Sequence, residues 1–202
     1  MTEGFVYLDA VLPGVFWDAK YATEDNFTGA VVDGYRVNRV VGTQEMADAL
    51  LNAAPLAEKR GQALLLWDGY RPQRAVDFFL KWAASPEDGR TKARHYPNIP
   101  KTDFVRLGYV AEKSGHTRGS AIDLTLCDST DGRPIDMGGV FDLLDERSHH
   151  GAKGLSASAA RNREILREIM EDSGFNPYDR EWWHYSLRNE PYPDRYFDFP
   201  IE

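Results

Sequence analysis

The sequence predicts a mixed α+β fold, on three observations. Ala63 to Trp67 is an apolar run of strand length. Ala121 to Leu126 alternates and carries β-branched residues, as a second strand would. Three further stretches, Thr43 to Arg60, Pro72 to Ser85 and Ser158 to Asp172, repeat apolar residues at helical spacing. The chain has 202 residues, which suits one domain over 1–202 with a sizeable core.

The elements follow in order. Phe5 to Leu8 reads as a short strand. Val15 to Val41 is a long irregular segment whose glycines, Asn26 and Asp33 break any helix. It reads as loops and short strands wrapped on the body, the kind of ordered loop that often lines a site. Tyr21 and Asn26 are its polar candidates, against the plainer reading that both are surface residues. Thr43 is placed to cap a helix that Pro55 should end or kink, because proline lacks the amide hydrogen. The strand Ala63 to Trp67 delivers the turn Asp68-Gly69-Tyr70-Arg71-Pro72. Arg71 at that exit can bind an anion or oxyanion, or simply pair with Asp68; both readings stay open. Residues 85–104 read as loop, with His95 exposed to solvent. Tyr109 and Val110 are expected to begin a strand leading to His116. Asp131-Gly132 marks a hairpin turn. Adjacent His149 and His150 point opposite ways on extended backbone and make a weak metal pair. Ser158 is expected to cap the last helix and Gly174 to end it. The proline- and aromatic-rich tail from Asn189 should pack as an extended cover.

Formal net charge is −8 and the isoelectric point about 5.2. With no basic patch, nucleic acid and anionic membrane are poor partners. Cys127 is the one cysteine, so no internal disulfide forms. With no signal peptide or long apolar run, this predicts a cytoplasmic protein. Cys127 itself reads as a packed thiol.

The chemistry concentrates in Ser114–Leu126, SGHTRGSAIDLTL. His116 and Asp123 would stand roughly 23 Å apart on a straight strand, too far to share an ion. They can meet only if Thr117-Arg118-Gly119-Ser120 turns the chain back. From Ala121 on, Asp123 shares a face with Ala121 and Thr125, while Ile122, Leu124 and Leu126 face the core. An aspartate among apolar neighbours is costly to bury unpaired, and a metal would settle that cost. Glu181-Trp182-Trp183-His184 answers from the C-terminal side. Glu181 is expected at a turn or bulge entering a strand that holds His184, so that the glutamate reaches over the metal without ligating it. His116, Asp123 and His184 fit the three-ligand count of a catalytic zinc, and by ligand type manganese, iron or cobalt fit too. Such a metal lowers the pKa of its water towards ~7, Glu181 takes the proton, and Arg71 steadies the oxyanion.

These residues also carry a resemblance. S-x-H-x-x-G-x-A-x-D is matched by Ser114, His116, Gly119, Ala121 and Asp123, and E-x-W-H by Glu181, Trp183 and His184. Both motifs resemble the zinc signature of the LAS-type peptidases, a group that includes D-Ala-D-Ala peptidases and the hedgehog signalling domain. Within that group the chain is most similar to the VanX-type D-alanyl-D-alanine dipeptidases. That likeness runs along the whole length, through WDAKYAT (17–23), NFTG (26–29), LLLWDGYRP (64–72), DERSHH (145–150), EWWHY (181–185) and EPYP (190–193).

The resemblance implies a small antiparallel sheet carrying one zinc per chain, flanked by helices and long wrapping loops. It implies His116, Asp123 and His184 as ligands, Glu181 as general base, Arg71 as transition-state stabiliser, and Ser114 and Tyr21 as substrate contacts. The implied substrate is free D-Ala-D-Ala, whose loss removes the dipeptide to which vancomycin binds. The rivals are a related enzyme with another substrate, either a carboxypeptidase acting on peptidoglycan stems or a dipeptidase used for nutrition, and a binding module with a structural or vestigial zinc. Glu181 argues against the binding module. A homo-oligomer is left open.

Overall fold

The computed structural model describes residues 2–202. Its elements, in chain order, are strand β1 (Phe5–Tyr7), helix α1 (Leu8–Val11), β2 (Phe16–Trp17), β3 (Val41–Thr43), α2 (Gln44–Glu58), β4 (Gln62–Asp68), α3 (Gln73–Ala84), α4 (Lys92–His95), β5 (Ala121–Asp128), α5 (Ala157–Asp172), β6 (Phe175–Tyr178) and β7 (Glu181–Leu187). β1 pairs with β3. The other strands form a five-stranded sheet in the order β2-β4-β5-β7-β6. Its ladders are antiparallel apart from the two-residue β2–β4 pair, which is parallel. The expected α+β class with a small, mainly antiparallel sheet is the one observed. Among the described residues no helix is long and apolar enough to cross a membrane.

β5 lies at the centre, between β4 and β7, and Ala121 to Cys127 are buried without a break. Ile122, Leu124 and Leu126 are buried as expected, and the face of Ala121, Asp123 and Thr125 is covered as well. Helices α2 and α5 pack on the sheet, and the wrapping loops add further cover, with Trp67 against Phe141 at 4.8 Å between ring centroids. A strand covered on both sides needs partners for any charge it holds, and Asp123 is such a charge.

Thr43 caps α2 as expected, its hydroxyl accepting the Met46 N–H at 3.3 Å. Pro55, however, sits inside α2 and does not end it. The carbonyl it leaves unpaired belongs to Leu51, an exposed residue, so water can take the lost bond. α5 is capped by Ser156 and not by Ser158. Ser156 has the extended backbone a cap requires, and its Oγ accepts the Ala159 N–H at 3.1 Å; Ser158 already lies in the first turn.

The strand expected from Tyr109 does not form. The N–H groups of Tyr109 and Val110 both bond to the Phe104 carbonyl, which uses up the donors a ladder would need. His95 is buried, not exposed, because it closes α4 against the 140s loop, with Nδ1 3.1 Å from the Asp142 carbonyl. The C-terminal tail runs extended over the body, with Phe197 and Ile201 buried.

Candidate metal centre and its cavity

The turn between His116 and Asp123 is a single 3-10 turn, His116–Arg118, closed by Gly119 at φ +71°. Only glycine adopts that conformation without cost. The Gly119 N–H returns to the His116 carbonyl at 2.9 Å, and the Ser120 N–H to that of Gly115 at 3.1 Å. This folds His116 back over the start of β5. In the β5–β7 ladder Asp123 stands opposite His184. Two segments far apart in sequence thus deliver three ligand groups to one spot.

The imidazole of His116 donates from Nδ1 to the Gly69 carbonyl at 2.7 Å, so its Nε2 carries the free lone pair. That Nε2 lies 3.1 Å from His184 Nδ1 and 3.3 Å from Asp123 Oδ2. His184 Nδ1 is 3.0 Å from Asp123 Oδ1, while its Nε2 meets Ser186 Oγ at 3.4 Å. One ligand atom from each residue falls within 4.8 Å of the others. Two imidazole nitrogens facing one another beside a carboxylate cannot all be satisfied by one proton. A divalent cation satisfies them together, and the nitrogen and oxygen donors suit zinc.

Glu181 opens β7. The ladder passes from Pro177↔Tyr185 directly to Tyr178↔Glu181, so the residues between bulge out of β7. The bulge turns Glu181 to the same side as His184, which an i, i+3 pair on a flat strand would not share. Its Oε2 stops 3.8 Å from His184 Nδ1, beside the cluster.

Arg71 leaves β4 through the Asp68-Gly69-Tyr70 turn. Its Nε and Nη2 reach Asp68 Oδ2 at 2.9 and 2.8 Å, and Nη2 also reaches Asp123 Oδ2 at 3.3 Å. Both sequence readings of Arg71 thus have a footing: it is paired with Asp68 and it borders the cavity.

The cavity above the cluster has a volume of about 250 Å³. Its walls bring together the three ligands with Glu181, Arg71, Tyr21, Ser114 and Asp142. The Ser114 Oγ accepts the His116 N–H at 3.2 Å. The Tyr21 hydroxyl donates to the Asp142 carboxylate at 3.0 and 3.2 Å. Asn26 does not reach the site. It is buried within its own loop, donating to the carbonyls of Thr23 and Ala30 and accepting from Thr28. Cys127 is a packed thiol that burial pushes up to about 11, with Sγ 3.4 Å from the Ala63 carbonyl. His149 and His150 form no metal pair: His149 Nε2 is taken by the Tyr109 hydroxyl at 3.1 Å.

Asp142 is the site residue that sequence reasoning missed. It is 5% exposed and holds φ +56°, the one positive φ outside glycine among the described residues. An aspartate in an irregular segment carries no pattern that marks it, and only the strained backbone points to it.

The buried charges do not balance. Asp68, Asp123, Asp142 and Glu181 face one guanidinium, Arg71. Burial, and then the charges of Asp123 and Asp142, push the Glu181 carboxyl well up. Burial, and then Asp123, do the same to Asp142. Asp123 goes the other way: His116 and His184 outweigh its burial and hold it well below the usual carboxylate range. Burial lowers His184. A dication held by His116, Asp123 and His184 would supply the countercharge that this group lacks.

The fold and this cluster have the form of a hydrolase. The Peptidase_M15 family model, described as D-ala-D-ala dipeptidase, matches residues 1–202, and the chain belongs to that peptidase family. It is 59% identical over 202 residues, all of both chains, to the D-alanyl-D-alanine dipeptidase of Enterococcus faecium. It is 57% identical over 201 residues, again all of both chains, to that of Enterococcus faecalis (strain ATCC 700802 / V583). The enzyme of the same name from Escherichia coli (strain K12) is 34% identical over 186 residues, 92% of this chain and 86% of that one. A crystal structure of a mutant of the vancomycin resistance D,D-pentapeptidase VanY with Zn(II) aligns over 75% of each chain, with TM-score 0.45 and 16% identity.

Proposed function

We propose that this chain hydrolyses D-Ala-D-Ala to two molecules of D-alanine with one zinc held by His116, Asp123 and His184. The observation that carries the reading is the convergence of those ligands at a small cavity with Glu181 and Arg71 beside them. Full-length identity to three D-alanyl-D-alanine dipeptidases supports the substrate. Zinc at the cluster would supply Lewis acidity, lowering the pKa of a water towards ~7 and polarising the peptide carbonyl.

The chain's own groups do the rest. His116 is held in one tautomer by the Gly69 carbonyl, which keeps its Nε2 turned inward. Glu181 takes the proton from the attacking water and hands it to the leaving nitrogen as the C–N bond breaks. Arg71 donates to the oxygen that gains charge in the tetrahedral state. Asp142, which accepts the Tyr21 hydroxyl, is the cavity carboxyl that would receive the substrate ammonium, whose positive charge offsets the burial that raises it. Ser114 lines the same cavity, and its hydroxyl would meet the other end of the dipeptide. The small volume favours a dipeptide over a stem peptide. Removal of D-Ala-D-Ala would deprive vancomycin of its target precursor. That role fits a cytoplasmic enzyme over 1–202 whose single thiol stays buried and reduced.

The test is D-alanine release from D-Ala-D-Ala by the purified chain, with zinc restored after chelation. Zinc-dependent release is expected. Glu181→Ala should keep one zinc per chain and lose about 10²–10⁴-fold in turnover; turnover within a few-fold of wild type removes Glu181 as the base. No release from a wild-type chain loaded with zinc overturns the dipeptidase reading.

A further inference from the structure

Tyr35 stands in the wrapping segment and does not line the cavity. Its hydroxyl nevertheless donates to Asp68 Oδ1 at 2.6 Å. The other oxygen of that carboxylate, Oδ2, accepts both the Nε and Nη2 of Arg71. Nη2 in turn reaches Asp123. One chain of hydrogen bonds thus runs from Tyr35 through Asp68 and Arg71 to a candidate metal ligand, and Tyr35 and Asp68 are both buried.

The donors of the guanidinium can be counted. Nε and Nη2 are committed to Asp68 and Asp123, while Nη1 makes no hydrogen bond to a carboxylate among the described residues, and the Tyr35 hydroxyl lies close enough to the guanidinium to feel its charge directly. Nη1 therefore carries the two N–H groups left for an oxyanion. Their direction depends on how Asp68 holds the guanidinium. A carboxylate gripped through one oxygen alone can turn about its Cβ–Cγ bond; a donor on the second oxygen stops that rotation. Tyr35 is that donor.

Tyr35 is itself pinned. Its backbone forms a parallel bridge with Ile201 near the end of the tail. On either side of that bridge, the Arg36 N–H donates to the Ile201 carbonyl at 3.0 Å and the Ile201 N–H to the Gly34 carbonyl at 2.9 Å. The ring of Tyr21, a wall of the cavity, packs edge-on against its ring at 5.6 Å.

We propose that Tyr35 is a positioning residue, whose hydroxyl locks the Asp68 carboxylate and so sets the angle at which Arg71 presents Nη1 to the cavity. This rests on the reading of Arg71 as the oxyanion donor. A tyrosine that only filled core space would need its ring and not its hydroxyl.

Tyr35→Phe separates the two, since it removes one oxygen and keeps the ring. On D-Ala-D-Ala the variant should lose about 10- to 100-fold in kcat, the range typical of groups that orient a reacting residue. KM should stay within about twofold and zinc at one per chain. In an Arg71→Ala background the same change should cost nothing further, because the hydroxyl acts only through Arg71. A crystal structure of Tyr35→Phe should show the guanidinium out of its Asp68–Asp123 bridge. A kcat within twofold of wild type, an equal loss in the Arg71→Ala background, or an unmoved guanidinium would each overturn the proposal. If the wild-type chain releases no D-alanine, the dipeptidase reading fails separately, and the position of Arg71 in wild-type and Tyr35→Phe crystals still decides the role of Tyr35.

Discussion

Gly119 is where fold and site meet, and replacing it with alanine should damage both. Its φ of +71° places an L residue in the left-handed region, at a cost of about 1–2 kcal/mol. A β-carbon there would also overlap the ring of Phe5 and come within 2.9 Å of Thr43 Cγ2. Neither neighbour can yield freely. Phe5 is wedged edge-on among Tyr70, Phe197 and Phe199 at centroid distances of 5.2, 4.9 and 5.0 Å. Thr43 caps α2 and donates to the Gly119 carbonyl at 3.1 Å. Overpacking of this kind costs a further ~1–3 kcal/mol. The sum, about 2–5 kcal/mol, corresponds to a fall in Tm of about 4–20 °C for a chain of this size. The assay is urea unfolding of wild type and Gly119→Ala, each with and without zinc. Because Gly119 also closes the turn that carries His116, zinc should stabilise the variant less than it does wild type. A loss below about 1 kcal/mol, with zinc stabilisation unchanged, would refute the reasoning: the Phe5 cluster would then be softer than its packing implies, and the turn independent of Gly119.

Two further outcomes follow from the charges and the ligands. Burial pushes His95 down to about 4, against the pull of the Asp142 carbonyl, and His150 likewise to about 4. Between pH 6.5 and 4 the unfolded imidazoles bind protons that the folded ones refuse, so stability falls as the pH drops through that window, by up to ~1.4 kcal/mol per pH unit for each histidine. His95→Gln should flatten the pH dependence of the metal-free protein by one proton's worth; an unchanged slope would mean that the folded imidazole is already charged. Removing the metal should also lower stability. A ligand present at a thousand times its Kd contributes about 4 kcal/mol, so chelation should lower Tm by about 8–16 °C and added zinc should restore it. Asp123→Asn should lose most of that response, and a Tm indifferent to chelator would sink the metal centre.

Much of the site was legible in the sequence because its parts are local. Gly119 between His116 and Asp123 announces a turn, since few other residues permit one so tight. The alternation from Ala121 announces a strand, and the tryptophans around Glu181 another. The errors came where local preference met tertiary demand. Pro55 reads as a stop, yet α2 continues because its unpaired carbonyl is on an exposed turn. Ser158 reads as a cap, but Ser156 has the backbone for it. His95 reads as exposed because nothing nearby in sequence shows that the 140s loop will close over it.

The sequence by itself determined the candidate ligand types, the turn that lets His116 meet Asp123, and the main helices and strands around them, though not the short α4 or the absence of a strand at Tyr109. These depend on side-chain chemistry and on backbone preference over a few residues. Only the tertiary structure decided the rest. It set Asp123 opposite His184 in the β5–β7 register, and bulged β7 so that Glu181 faces the cluster. It buried β5 on both faces, brought Asp142 to Tyr21, and linked Tyr35 to Arg71 through Asp68. The physical reason is the same in each case. A strand's partner, a loop's resting place and a buried charge's counter-ion are set by which surfaces the whole chain must cover, and no window of neighbouring residues contains that information.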